Sequence, residues 1–290
     1  MSGESRFITA RDGLKLHVRE FGSGNGQLPL VCLPGLTRTT EDFEPLAAAL
    51  GMQRRVLALD YRGRGRSGYD ANPANYTLPV ELGDLLTVLE TCAAAPAAFL
   101  GTSRGGLLIM LLASVQPQSI ATAIFNDIGP VIERAGLIRI KSYVGRMPAP
   151  RSLEQGAALL RQFNPDFPGL STEQWLAFAR RTWRDHDGVL TPTYDPRLAE
   201  TIPALEADQP IPDMWTAFDA LPDIPLMVIR GANSDILSAE TVEAMRARRP
   251  RLKAIEIADQ GHAPLLDDTA TIGDIARFLQ FRDGENIFAG

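Results

Sequence analysis

The chain has 290 residues, 45% of them hydrophobic and 22% charged, and a net charge of −6. That is enough chain for one large core or a core carrying an insertion, and the acidic balance argues against nucleic acid as the main partner. No stretch approaches the roughly 20 apolar residues of a membrane helix. The first residues, MSGESRFITARDG, lack the apolar core of an export signal. The expectation is a cytoplasmic protein with a small-molecule partner, bound neither to nucleic acid nor to a membrane, with a homo-oligomer left open. Cys32 and Cys92 sit in apolar segments and read as small buried hydrophobes rather than a disulfide.

Two strand-like pieces, RFITA and LKLHVREFG, open the chain and meet at Asp12-Gly13, a good hairpin signal. LPLVCLPG is a short apolar run ended by Pro-Gly, as a buried strand would be. After an amphipathic segment around EDFEPLAAAL, the run RRVLALD reads as another buried strand and ends in the turn-rich YRGRGRSG. A helix is expected at about 77 to 93, with Thr77 as its N-cap. AAFLGT (strand), RGGLLIMLLASV (helix) and IATAIFND (strand) follow in order. Strands that alternate with helices, and are apolar throughout, predict a mostly parallel sheet covered on both faces.

From about Ile128 to Pro222 the rhythm changes. Strand-like runs vanish, and short helical pieces separated by prolines replace them. Ser152 to Gln155 and Ser171 to Gln174 have the spacing of capping boxes. Trp175, Trp183 and Trp215 all fall here. Alternation returns with IPLMVIRG (strand 225 to 231), a helix near 238 to 249, the strand LKAIEIAD and a last helix near 269 to 281. The expected organisation is an α/β core, 1–127 with 223–290, interrupted by a helical insertion, 128–222.

The chemistry centres on Gly101-Thr102-Ser103-Arg104-Gly105. A sharp turn from strand into helix lifts one side chain above the carboxyl edge of the sheet and forces its backbone into strain. Small neighbours are needed for strand and helix to pack closely. Strand before and helix after are the context such a turn requires, so Ser103 reads as a nucleophile. The plainer alternative is a capping serine at a glycine-rich helix start, which leaves its partners unexplained.

A serine hydroxyl needs a base, and the chain has three histidines. His17 lies in the early hairpin, far from the expected edge, and reads as satisfied or exposed. His186 is flanked by acids and reads as a solvated turn residue. His262, in DQGHAPLL, follows the last predicted strand directly and is the expected base. The base needs a carboxylate to fix its tautomer. Asp235, just past strand 225 to 231, is the expected acid; Asp127, which ends the strand IATAIFND at the same edge, is the competitor. The oxyanion would be held by backbone N–H groups, that of Arg104 at a helix N-terminus and that of Leu36 after Pro34-Gly35.

Together these residues resemble the α/β-hydrolase superfamily. The likeness runs through LPGLTRT, LDYRGRGRSG, GTSRGG, RGANSDILS and DQGHAPLL in order. It implies an eight-stranded, mostly parallel sheet with helices on both faces and a helical cap between the sixth and seventh strands. It also implies a metal-free, cofactor-free serine hydrolase acting through Ser103, His262 and Asp235 on a small carboxylic ester or lactone. Pro34-Gly35 stands where many members have His-Gly, which removes a polar contact from the oxyanion loop. The cap aromatics Phe163, Phe167, Trp175, Phe178, Trp183, Trp215 and Phe218 are the candidates to line an apolar pocket, with about two-thirds of them expected simply to pack helix on helix. Two rivals remain: a C–C bond hydrolase using the same triad, and a catalytically silent binding module. Haloalkane dehalogenase and epoxide hydrolase chemistries would want an aspartate where Ser103 stands.

Overall fold

In strand β3 (Leu30–Leu33) alternate side chains point to opposite faces. Leu30 and Cys32 join one buried cluster, while Val31 and Leu33 join another. The same division runs through the central strands of the sheet and is why they are apolar at nearly every position. The computed structural model describes residues 3–24, 26–202 and 211–287. Strands β1 (Glu4–Thr9) and β2 (Lys15–Phe21) form an antiparallel hairpin. Its turn passes through Gly13 at φ +91°. The core continues through α1 (Glu44–Leu50), β4 (Val56–Asp60), α2 (Leu78–Thr91), β5 (Ala97–Thr102), α3 (Arg104–Val115) and β6 (Ile120–Asn126). Thr77 is the N-cap residue of α2, although its side chain makes no capping hydrogen bond.

Beyond β6 the chain leaves the sheet for α4 (Arg134–Tyr143), α5 (Leu153–Phe163), α6 (Thr172–Thr182), β7 (Trp183–His186), β8 (Val189–Pro192) and α7 (Trp215–Asp219). It returns with β9 (Leu226–Gly231), α8 (Ala239–Arg248), β10 (Lys253–Ile257) and α9 (Thr269–Ile287). The main sheet has eight strands in the order β1-β2-β4-β3-β5-β6-β9-β10. Only the pairings β1 with β2 and β2 with β4 are antiparallel. Leu85, Val88, Leu108 and Leu112 of α2 and α3 cover one face. Leu46 and Leu50 of α1, with Ile275 and Leu279 of α9, cover the other.

The segment between β6 and β9 has a small core of its own around Leu160, Phe167, Trp175, Ala179 and Trp183. Ser171 and Gln174 form a complete capping box on α6, each side chain bonding the other residue's backbone N–H. On α5, Ser152 caps the Gln155 N–H but Gln155 turns back to the Arg151 N–H instead. The expectation that strands vanish here is corrected by the antiparallel hairpin β7–β8. Its strands carry only one buried side chain each, too few for an alternating apolar pattern to show in the sequence. Among the described residues no helix is long and apolar enough to cross a membrane.

Candidate active site

Ser103 stands between β5 and α3 with φ +51°, a left-handed conformation that costs a non-glycine residue roughly 1–3 kcal/mol. Packing on both sides holds it there. A Cβ on Gly101 would lie 2.4 Å from the Gly105 carbonyl carbon, and one on Gly105 would lie 2.2 Å from the Leu33 carbonyl oxygen. Glycine at both positions therefore lets α3 sit directly on β5 and β3. The Ser103 N–H donates to the Asn126 carbonyl at 3.0 Å, while the Gly106 N–H donates to the Ser103 carbonyl at 2.8 Å.

Above this turn His262 Nε2 lies 2.8 Å from Ser103 Oγ. His262 Nδ1 lies 2.8 Å from Asp127 Oδ2. A carboxylate only accepts, so Nδ1 carries the proton and Nε2 is the acceptor facing the serine hydroxyl. Asp127 is fully buried and takes two further hydrogen bonds, from the Gly231 N–H at 2.7 Å and from the Ser234 hydroxyl at 2.6 Å. These contacts orient both carboxylate oxygens. Asn126 beside it donates from Nδ2 to Thr102 Oγ1 at 3.1 Å and to the Pro264 carbonyl at 3.0 Å. It thereby ties the strand before the serine to the loop after the histidine.

The expected acid is corrected. Asp235 does lie past β9, but its two oxygens are taken by Arg139 of α4, from Nε at 2.5 Å and Nη2 at 2.7 Å. Burial alone would raise the Asp235 carboxyl pKa; the bonds and charge of Arg139 bring it below its ordinary value. Asp127 is the carboxylate that reaches His262 because β6 ends beside Ser103, as the Ser103 N–H bond to Asn126 shows, whereas Asp235 faces the inserted segment. Ser234, which orients Asp127, and Arg139, which holds Asp235, both escaped the sequence reading. Each stands next to its partner only in the folded chain.

The loop carrying Leu36 is fixed from behind. Tyr61 donates its hydroxyl to the Pro34 carbonyl at 3.1 Å, and Arg64 Nε donates to the Leu36 carbonyl at 2.8 Å. Arg64 also pairs with Glu81 at 2.8 Å, and Glu81 in turn with Arg104 at 2.6 Å. Among the described residues neither the Leu36 N–H nor the Arg104 N–H has a hydrogen-bond partner. His17 is buried against Asp60, and His186 is exposed at the end of β7. No group of three or more His, Cys, Asp or Glu among the described residues could hold a metal ion.

Ser103 and His262 open onto a cavity of about 170 Å³. Its walls come from the Leu36 loop, the loop after His262 and the inserted segment, including Tyr143, Leu160, Asn164, Phe178 and Trp183. Of the seven expected pocket aromatics, Phe167, Phe178 and Trp183 line it. The other four are corrected. Trp175 stacks on Phe178 with centroids 6.1 Å apart, Phe163 packs on Tyr143 at 6.3 Å, and Trp215 packs on Phe218 at 5.8 Å. Their helical faces serve packing, and a sequence pattern does not distinguish a packed aromatic from a lining one.

Residues 30–274 match the model of the alpha/beta hydrolase family. The chain is 34% identical over 277 residues to a 3-hydroxybutyrate-oligomer hydrolase from Cupriavidus necator, covering 91% of this chain and 92% of that one. It is 27% identical over 256 residues to the esterase YbfF of Escherichia coli, covering 86% and 92% of the two. A crystal structure of an alpha/beta hydrolase from Novosphingobium aromaticivorans superposes with a TM-score of 0.90 at 40% identity, covering 96% of this chain and 98% of that one.

Proposed function

Because the chain belongs to the alpha/beta hydrolase family and is a hydrolase, we propose that it is a serine esterase that cleaves short aliphatic carboxylic esters. The observation that carries this reading is the unbroken chain of hydrogen bonds from Asp127 through His262 to Ser103, opening onto a cavity. In the proposed reaction His262 Nε2 takes the Ser103 proton as Oγ attacks the ester carbonyl. The oxyanion is received by the Leu36 and Arg104 N–H groups. His262 then protonates the departing alcohol, and the Ser103 acyl ester is hydrolysed by water that His262 deprotonates in turn. Asp127 keeps the imidazole in the accepting tautomer and stabilises its protonated form. The segment 128–222 serves as a cap that shapes the substrate site. The relative that cleaves 3-hydroxybutyrate oligomers makes oligoesters of short hydroxy acids the first substrates to try.

The test is a panel of p-nitrophenyl esters of graded chain length beside the 3-hydroxybutyrate dimer, with labelling by a fluorophosphonate probe. Covalent capture of Ser103 and release of acid from short esters are expected. A protein that resists the probe and cleaves no ester would overturn the reading.

A further inference from the structure

The cavity is mostly apolar, and its ionic groups compensate one another. Arg38 donates to Asp42 from Nε at 2.7 Å and Nη2 at 2.5 Å, and to Thr182 Oγ1 from Nη1 at 2.8 Å. Its guanidinium also lies over the Phe178 ring, 4.5 Å from the centroid. Thr182 passes its own proton to the Phe178 carbonyl at 2.8 Å. An arginine so occupied has little left for a substrate carboxylate, and burying an unpaired charge beside it is costly.

Two groups of the inserted segment are not used up. Asn164 is 8% exposed and follows the last residue of α5. Its Nδ2 donates to the Leu160 carbonyl at 2.7 Å. Because that carbonyl only accepts, the amide cannot be turned round, and Oδ1 is left as an acceptor. Tyr143 is the last residue of α4; its ring packs on Phe163, the neighbour of Asn164. Both Tyr143 and Asn164 line the cavity. Neither the Tyr143 hydroxyl nor Asn164 Oδ1 has a hydrogen-bond partner among the described residues. Both groups are therefore free to bond a ligand that enters the cavity.

We propose that Tyr143 and Asn164 form a subsite for a neutral hydroxyl on the acyl part of the substrate, so that the preferred ester is that of a short hydroxy acid. This rests on the esterase reading and names the substrate class of the same site. A hydroxyl suits the pair because it can donate to Asn164 Oδ1 while accepting from the Tyr143 phenol. In a hydroxy-acid oligoester the hydroxyl terminus enters the cavity, and the charged carboxylate terminus stays at its mouth. A site built to bond a hydroxyl discriminates strongly against the analogue lacking it, since its own polar groups are then left unpaired.

The experiment compares p-nitrophenyl 3-hydroxybutyrate with p-nitrophenyl butyrate, which differ only in that hydroxyl. The parent protein should favour the hydroxy ester in kcat/KM. Tyr143→Phe should lower the ratio of the two kcat/KM values about tenfold, the equivalent of one lost hydrogen bond. Asn164→Ala, checked for folding by thermal melting, should lower it in the same direction. A loss of overall stability or a general loosening of the site would move both esters together and leave the ratio where it was. An unchanged ratio in a folded Tyr143→Phe protein would overturn the subsite, as would a parent that prefers butyrate. If the parent cleaves neither ester yet Ser103 takes the fluorophosphonate, the subsite is overturned while the nucleophile stands. If the probe fails as well, the esterase reading falls first.

Discussion

The described residues contain two serine–histidine–aspartate chains of nearly the same dimensions, and only one reads as an active site. At the outer edge of the sheet, His17 Nδ1 meets Asp60 at 2.7 Å and His17 Nε2 meets Ser5 Oγ at 3.0 Å. In the other, His262 joins Asp127 and Ser103, each at 2.8 Å. The difference lies in what surrounds them. Ser5 is in an ordinary strand, and its oxygen also accepts from Arg66 at 2.7 Å. Asp60 binds the turn behind it, accepting from the Thr40 N–H at 2.7 Å and the Arg66 N–H at 3.0 Å. Ser103 instead sits at a strained turn beside a helix N-terminus and faces a cavity. Three side chains in a row are cross-linking when they join elements and chemical when a substrate can reach the serine beside oxyanion donors.

Serine replacement should separate the two chains most widely. Ser103→Ala should lower ester turnover by on the order of 10³-fold or more, whereas Ser5→Ala should leave kcat/KM within about twofold. Steady-state kinetics on one p-nitrophenyl ester decides this, and comparable losses would break the distinction. The carboxylates come next. Asp127→Asn should cost on the order of 10³-fold or more in kcat, since the amide imposes the wrong imidazole tautomer. Asp235→Asn should cost less than about tenfold. The reverse ranking would hand the role back to Asp235.

A smaller effect belongs to the edge chain. Asp60→Ala leaves a buried histidine and two backbone N–H groups without their acceptor, and should destabilise the protein by about 3 kcal/mol. Denaturant midpoints would show it, and turnover per folded molecule should stay close to that of the parent. The least effect concerns Asp235 and acid. Its carboxyl pKa is lower in the folded protein than unfolded, so its bond to Arg139 contributes fully above the unfolded value. That contribution fades as the pH falls through the lower folded one. The stability difference between the parent and Asp235→Asn should therefore shrink on acidification, and a difference that grows instead would reverse the sign.

The sheet was legible because a strand buried on both faces must be apolar at every position, as Leu30 to Leu33 and Val56 to Asp60 nearly are. That Ser103 and His262 meet at the sheet edge was legible because glycines and strand ends mark the places where a chain turns there. The choice between Asp127 and Asp235 was not. Both follow strands at the same edge, and what separates them is a Gly231 N–H on one side and an arginine 96 positions away on the other. The cavity wall was mostly illegible for a similar reason. Trp175 and Trp183 belong to one hydrophobic cluster, and only the turn of the backbone decides which of them faces the cavity.

Asp127 holds φ at +55°, a conformation that asparagine, aspartate and glycine accept far more readily than other residues do. Glutamate would bring a carboxylate but the wrong backbone preference; asparagine would bring the backbone and the shape without the charge. In the proposed reaction, the easiest drift at this position therefore ends in a protein that keeps its architecture and its ligand cavity while losing turnover. A folded, ligand-gripping descendant with no chemistry lies one substitution away.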